Sequence, residues 1–203
     1  MNARIFEKVL VCTDSAEYAS IASKAGALIP GIRPEELSTS TSADIEWMNW
    51  LNDISTIFKQ CDIYTILRTT SPFLSSTRIA KEVCLFEREI RNYDSARGIA
   101  ECNEHPFKMW TLKGQYIDPL FPFQNDDLVD LHSSQKAALP KIYRQTGGIE
   151  ISSKNSFDTY KNISGARIKG IVLKDLECFD INTENDWSEF SVSNELTFQE
   201  SLK

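Results

Sequence analysis

The sequence predicts an α/β fold in three layers: a mostly parallel sheet with helices on both faces, plus one hairpin-bearing excursion. Three observations carry this prediction. Short apolar runs alternate with amphipathic stretches along most of the chain. The runs are continuous, as in Lys8-Val9-Leu10-Val11-Cys12-Thr13, which is the pattern of a strand covered on both faces. The rhythm breaks between Phe107 and Gln145, a segment with three prolines that reads as an arm leaving the sheet.

Each element has its own signal. After the Lys8–Thr13 run, Asp14-Ser15 is an N-cap signal for a helix over Ala16 to Ala25, ended by Gly26. Arg33-Pro34 marks a loop, because the residue before proline avoids the α region. Asp44 to Phe58 reads as a second helix, with Ile45, Met48, Leu51 and Ile54 on one stripe. Asp62 to Leu67 is a core strand and Ser71-Pro72 turns the chain. Ser75 or Ser76 then caps a helix carrying Ile79, Val83, Phe86 and Ile90. Ser95 to Glu101 is a further strand. Lys113-Gly114 lies between two short strand-like runs, Met109 to Leu112 and Gln115 to Ile117, and signals a hairpin. Gly147 to Ile151 and Arg167 to Leu173 read as strands, and Glu184 to Leu196 as a last helix.

Composition bounds what the protein does. The 203 residues favour a single domain spanning 1–203, with residues 107–145 inserted as an arm. There are 22 basic and 29 acidic residues, a net charge of −7, so the basic footprint of a nucleic-acid binder is absent. Five scattered cysteines without a CxxC pair argue against a disulfide framework or a structural zinc site. Nothing near the amino terminus resembles a signal core, and no run approaches the length of a membrane span, so a reducing cytoplasm is the expected compartment. In sheets of this kind ligands bind at the carboxyl ends of the strands. The segments to inspect are therefore Thr13-Asp14-Ser15, Arg68 to Pro72 and Glu101 to Lys108.

Read together, these segments resemble the cytidylyltransferases that activate nine-carbon 2-keto sugar acids, the CMP-sialic acid synthetase family with its legionaminate-type members. The matching pieces occur in family order: Val9 to Asp14, Arg33-Pro34-Glu35-Glu36-Leu37, Arg68-Thr69-Thr70-Ser71-Pro72-Phe73, His105-Pro106-Phe107-Lys108, Leu139 to Arg144, Gly147 to Ile151, and Asp180-Ile181-Asn182-Thr183-Glu184-Asn185-Asp186-Trp187. The resemblance implies a Rossmann-like nucleotidyltransferase fold, CTP and a nonulosonic acid as substrates, Mg²⁺ as cofactor, and a homodimer built through the arm. A relative acting on the eight-carbon acid KDO fits less well, since the HPFK and arm pieces belong to the nine-carbon branch. The family's N-terminal strand, glycine-rich basic loop and helix have no counterpart here. Asn2 to Glu7 reads as the end of that helix, so about one βα unit, on the order of 30 residues, is expected to be missing. The alternative to an enzyme is a catalytically inactive homologue that serves as a binding or assembly partner.

The resemblance also assigns roles. Asp14 and Arg33 fall near the nucleotide, with Ser42 among the hydroxyl and acidic residues (Ser40, Ser42, Asp44) of the next helix start. The plainer alternatives are a helix N-cap for Asp14 and a solvated loop charge for Arg33. Asp180 stands at the family's metal-binding acid, and Asn182 replaces a second Asp. Spaced by two in an extended segment, both point to one side, and together with Asp14 they form the expected Mg²⁺ set. An amide oxygen ligates without supplying charge, and Asn182-Thr183 could instead cap the last helix. Arg68 replaces a common Gln and could grip a carboxylate through two parallel hydrogen bonds. Thr70 and Ser71 supply hydroxyls, or simply turn the chain before Pro72. Lys108, Gln135, Lys136, Tyr143 and Arg144 are expected to reach the sugar acid from the arm, Lys108 also catalytically with Asp180 and Arg33. His105 orients its loop or acts as a general base, and His132 carries no signal.

Overall fold

The structure, a computed structural model, describes residues 5–121 and 131–191. Its elements in chain order are α1 (Ala16–Lys24), α2 (Asp44–Ile54), α3 (Thr56–Gln60), β1 (Ile63–Leu67), α4 (Ser76–Glu89), β2 (Ser95–Glu101), β3 (Trp110–Lys113), β4 (Tyr116–Pro119), β5 (Tyr143–Ser153), α5 (Lys154–Tyr160) and β6 (Ile168–Val172). Residues 184–191 are helical, and the rest of the expected last helix lies outside the described residues. So do residues 2–4 of the expected leading helix end, and residues 5–7 are not helical.

The central sheet has the order β1-β5-β2-β6. β1, β2 and β6 share one direction, as the predicted parallel sheet requires, but β5 runs against both neighbours. The sheet is therefore mixed, and the reason is the arm. The chain leaves the carboxyl end of β2 at Glu101 and re-enters at Tyr143, directly opposite. A chain that departs and returns at one end of a sheet must run back antiparallel. The hairpin β3–β4 sits within that excursion as expected, with Gly114 at φ +63° in its turn.

The two faces of the sheet bury different cores. Phe86 of α4 packs on Ala96, Ile149, Ile151, Ile171 and Leu173. On the other side Met48 and Leu51 of α2, Phe58 of α3 and Phe157 of α5 form the second core, against which Tyr64 and Ile66 of β1 pack. Ile63 joins the first core and Tyr64 the second, so the period-two alternation of β1 couples both layers. Phe86 and Met48 have no exposed surface at all, and truncating either to Ala removes about 2–5 kcal/mol of burial and packing.

Two expected elements differ in detail. Lys8–Thr13 is extended but stands outside the four-stranded sheet, joined to residues 28–32 by single parallel bridges, Leu10 to Leu28 and Thr13 to Ile32. Its backbone groups are taken by that nearby segment through Val11 N–H to Leu28 (3.0 Å) and Leu28 N–H to Val9 (2.9 Å), while Leu10 and Cys12 pack on the second core. The helix expected over Asp44–Phe58 breaks at Ser55, whose hydroxyl accepts the Phe58 N–H and starts α3.

Asp94 ties β6 to β2. Its buried carboxylate accepts from the N–H groups of Ala166 (3.0 Å) and Arg167 (2.8 Å) and from Arg167 Nη2 (3.0 Å). The Arg167 side chain chiefly holds the Asp94 carboxyl far below the ordinary range, at about 2, against the opposing effect of burial. Gly165 makes this approach possible, with φ +67° and a site where any Cβ would lie 2.3 Å from Asp94 Cβ. Because the folded carboxyl titrates below the unfolded one, its stabilisation is complete above about pH 4 and disappears as the pH falls toward about 2. Asp94→Asn should therefore lower Tm at neutral pH, with a gap to the parent that closes over that acidic window. Melts across the range check this, and a gap independent of pH refutes it.

Candidate functional site

The site is organised by an irregularity in β5. Arg97 pairs with Glu150, but Ile99, two residues on, pairs with Gln145, so β5 bulges over residues 146–149. That bulge carries Gly147 and Gly148, and the missing side chains let neighbours close in. A Cβ on Gly147 would lie 3.2 Å from Arg68 Cδ and 3.4 Å from Asp180 Oδ2. One on Gly148 would lie 3.7 Å from Ser71 Oγ. The loop after β1 and the loop leading to Asp180 are stitched by the Ile181 N–H donating to the Thr70 carbonyl at 2.9 Å. Arg68, Thr70, Ser71, Asp180 and Asn182 thus meet at the carboxyl rim, where the sequence placed them. Ser71 is also a turn residue, its N–H bonded to the Arg68 carbonyl at 3.1 Å.

Arg68 enters a line of alternating charge. Its Nη2 donates to Asp44 Oδ2 (2.6 Å) and to Glu150 Oε1 (3.1 Å), and Arg97 Nη1 lies 2.8 Å from Glu150 Oε2. Burial opposes the charge on Arg68, but Asp44 and Glu150 outweigh it and raise its pKa further. Burial likewise pushes the Asp44 carboxyl up, and the hydrogen bonds from Arg68 and Trp47 overcome that and hold it below its ordinary value. Both two-pronged faces of a guanidinium include Nη2, and both Nη2 protons are spent here. The expected two-pronged grip of Arg68 on a carboxylate is therefore corrected: its remaining donors, Nε and Nη1, act singly. Sequence reading missed Glu150 and Arg97. The available signal was one lone charge of each sign inside two otherwise apolar or small-residue strands, Ser95-Ala96-Arg97-Gly98-Ile99 and Gly148-Ile149-Glu150-Ile151.

Asp180 is half-buried. Its Oδ2 accepts from Asn182 Nδ2 at 3.2 Å, and its Oδ1 is shielded without a hydrogen-bond partner. The cap of the 184–191 helix does not use the Asn182 side chain. Thr183 Oγ1 accepts the Asp186 N–H (3.2 Å), and Asp186 Oδ2 accepts from the Asn182 and Thr183 N–H groups (2.9 and 2.7 Å). These bonds, the Asn182 N–H first, hold the Asp186 carboxyl below its ordinary value. Asp180 thus keeps one unpartnered carboxylate oxygen, and Asn182 turns its amide nitrogen toward the other. No group of three or more His, Cys, Asp or Glu assembles among the described residues. So sparse a donor set suits Mg²⁺, which takes one or two protein carboxylates and fills its sphere with phosphates and water.

Asp14, Arg33 and Ser42 form a second group. Ser15, not Asp14, caps α1, so the exposed Asp14 carboxylate is left free. The Arg33 N–H donates to the Thr13 carbonyl (2.9 Å) next to it, and Arg33 Nε donates to Ser38 Oγ (2.9 Å). Ser42 Oγ pairs with Thr39 Oγ1 (2.8 Å) and closes the loop that ends at Asp44, the partner of Arg68. In the arm, Lys108 Nζ donates to the His132 carbonyl at 3.2 Å. His105 is buried, with Nδ1 accepting the Phe107 N–H (3.1 Å) and Nε2 placed to donate to the Pro140 carbonyl (3.1 Å). Both ring nitrogens are thus engaged in orienting the loop, and the general-base alternative falls. Gln135 and Lys136 are exposed on a short 3₁₀ turn, and Tyr143 pairs with Glu101. Arg144 bears on Cys178, whose thiol burial raises and Arg144 lowers, two residues from Asp180. Among the described residues no hydrogen bond or ion pair joins Lys108, Gln135 or Lys136 to Arg68 or Asp180 within the single chain.

This is the fold of nucleotidyltransferases. The chain matches the CMP:2-keto-3-deoxy-manno-octonic acid synthetase solved with CTP at a TM-score of 0.56, with 12% identity, over 95% of this chain and 81% of that one. It matches the 4-diphosphocytidyl-2C-methyl-D-erythritol synthase of Anaerococcus prevotii at 0.50, with 13% identity, over 91% and 80%. No family model matches. In sequence the chain is 27% identical over 188 residues to the N-acylneuraminate cytidylyltransferase of Escherichia coli, covering 92% of this chain and 42% of that protein. It is 26% identical over 187 residues to the CMP-N,N'-diacetyllegionaminic acid synthase of Legionella pneumophila, covering 90% and 75%. The chain thus spans less than half of the first relative. Over about nine-tenths of its length the chain is thus similar in sequence to two enzymes named as sugar-acid cytidylyltransferases.

The charge line sets an order of costs. Side chains of Glu150 and Arg97 are 6% and 14% exposed, and that of Arg68 is 36% exposed. Arg97→Met should cost about 3 kcal/mol by stranding a buried carboxylate, and Arg68→Met only about 1 kcal/mol, since water replaces part of what it offers. Urea denaturation gives the order, and the reverse order refutes this account.

Proposed function

We propose that this chain is a cytidylyltransferase that moves CMP from CTP to the anomeric hydroxyl of a nonulosonic, sialic-type acid. The hydroxyl oxygen forms a bond to the α-phosphorus, the bond from that phosphorus to the bridging oxygen breaks, and pyrophosphate leaves with the electron pair. The hydroxyl proton passes to solvent. The observation that carries this reading is the unpartnered, shielded Asp180 Oδ1 beside Asn182 and Arg68 at the glycine bulge. Homology to sugar-acid cytidylyltransferases over nine-tenths of the chain supports it.

Asp180, Asn182 and Asp14 would hold Mg²⁺, which when bound neutralises phosphate charge. Arg33, Asp14 and Ser42 line the nucleotide side. Arg68, Thr70 and Ser71 orient the sugar acid, with Tyr143 and Arg144 beside them. Lys108, Gln135 and Lys136 reach a sugar carboxylate from the arm of a second copy in a homodimer. The arm's chemistry favours such pairing, because Leu112 and Tyr116 of the hairpin are 75% and 81% exposed, as are neighbouring apolar side chains to lesser degrees. A cytoplasmic setting accords with the reading, and no helix among the described residues is long and apolar enough to cross a membrane. The commitment of Arg68 to internal partners, together with Asn182 in place of an acid, favours the second reading, a binding or assembly partner without turnover.

Pyrophosphate release from CTP, Mg²⁺ and a panel of nonulosonates decides between the two, and a folded protein that releases none overturns the enzyme. Asp180→Ala should reduce release by about 100-fold or more without changing Tm. Retained turnover removes Asp180 from the chemistry. Sedimentation tests the arm: Leu112→Glu with Tyr116→Glu should convert a dimer to monomer, and an unchanged mass refutes pairing through the hairpin.

A further inference from the structure

We infer that Glu150, backed by Arg97, and Asp44, backed by Trp47, are positioning residues that clamp Arg68 and keep it off Asp180. The naming of the ligand rests on the cytidylyltransferase reading; the clamp does not. Every group that holds Arg68 is itself held. Glu150 takes Arg68 Nη2 on Oε1 (3.1 Å) and meets Arg97 Nη1 with Oε2 (2.8 Å), and Arg97 Nη2 is fixed in turn to Ser164 Oγ (2.7 Å). Asp44 takes Arg68 Nη2 on Oδ2 (2.6 Å) and Trp47 Nε1 on Oδ1 (2.9 Å).

The need for a clamp is geometric. The point above Gly147 where a Cβ would stand is 3.7 Å from Arg68 Nε and 3.4 Å from Asp180 Oδ2. An unrestrained guanidinium there closes on the carboxylate, since charge-assisted pairs of this kind are among the strongest side-chain contacts. That closure would consume the Asp180 carboxylate, whose Oδ1 has no hydrogen-bond partner. Two arginines against Glu150 and Asp44 leave the line neutral, so Arg68 is satisfied without Asp180. Its Nε, beside Gly147, and its Nη1 then remain as single donors, suited to individual acceptor oxygens of a sugar acid and not to a two-pronged carboxylate grip. Preorganisation of this sort lowers the cost of binding, because the donor is already immobile.

Nitrogen-15 relaxation of the Arg68 Nε–H in ligand-free protein reads the clamp directly. The order parameter should be about 0.85 in the parent and below about 0.6 in Glu150→Gln, and equal values in the two overturn the clamp. Calorimetry with an N-acylneuraminate and CTP, without Mg²⁺ so that nothing turns over, reads the consequence. Glu150→Gln should weaken the sugar acid about tenfold with CTP affinity unchanged. The double variant Arg68→Gln/Glu150→Gln should bind no worse than Arg68→Gln alone, and Arg97→Lys, which keeps a cation on Glu150, should retain most of the affinity. Parallel loss of both ligands, or additive losses, gives Glu150 a merely structural role and overturns the inference. Asp44→Asn, at a half-exposed position, repeats both measurements if Glu150→Gln does not fold. A rigid Arg68 in a protein that binds neither CTP nor sugar acid supports the clamp and overturns the cytidylyltransferase reading instead.

Discussion

The carboxylate of Glu150 is the contact on which the site's geometry depends. It sits on the face of β5 opposite Ile149 and Ile151, among groups that would otherwise form an apolar layer. A buried negative charge is tolerated only when paired, and here it is shared between an arginine from the neighbouring strand and one from the loop after β1. The same contact thus couples three adjacent parts of the sheet and sets where Arg68 stands. Removing it alone would strand Arg97 as a buried, unpaired charge, whereas replacing Glu150, Arg97 and Arg68 together by well-packed apolar side chains is compatible with the fold and would leave the rim without its order.

The bulge in β5 complements that charge. It lets β5 pair with β2 on both sides of residues 146–149 although the register differs before and after them. Its two glycines allow side chains from two loops to occupy the space above the backbone. Rim residues that are far apart in sequence meet there because the backbone yields, and the side chains remain full length. The second group, around Asp14 and Arg33, reaches this rim through the loop ending at Asp44, so the two groups of residues share one connecting segment.

Much of this was legible in the sequence. The strand Ser95–Glu101, the helix capped by Ser75 and the hairpin around Gly114 rest on local signals, namely apolar runs, a capping serine and a turn glycine, and the structure has them where those signals fall. The meeting of Arg68, Thr70, Ser71 and Asp180 followed from motif order and from the rule that ligands gather at strand ends. What local signals could not supply was pairing. Nothing in Gly147 to Ile151 indicates direction, so the reversal of β5 became visible only through the return point of the arm. Lys8–Thr13 has the composition of a central strand, yet its backbone bonds go to residues 28–32. Glu150 and Arg97 were hidden for the same reason, since their meaning lies in a cross-strand neighbour 53 positions away. The two-pronged role expected of Arg68 failed because the sequence cannot show which donors are already occupied.

The excursion between β2 and β5 closes on itself at a neck, where Cys102 N–H meets the Ile142 carbonyl and Glu101 faces Tyr143. Everything beyond that neck can lengthen, shorten or change character without disturbing a single hydrogen bond of the central sheet, and the entropic cost of a longer loop rises only logarithmically. The scaffold that fixes the rim is thereby insulated from the segment that meets the outside world. Change can accumulate in the appendage while the framework that holds the rim stays constant.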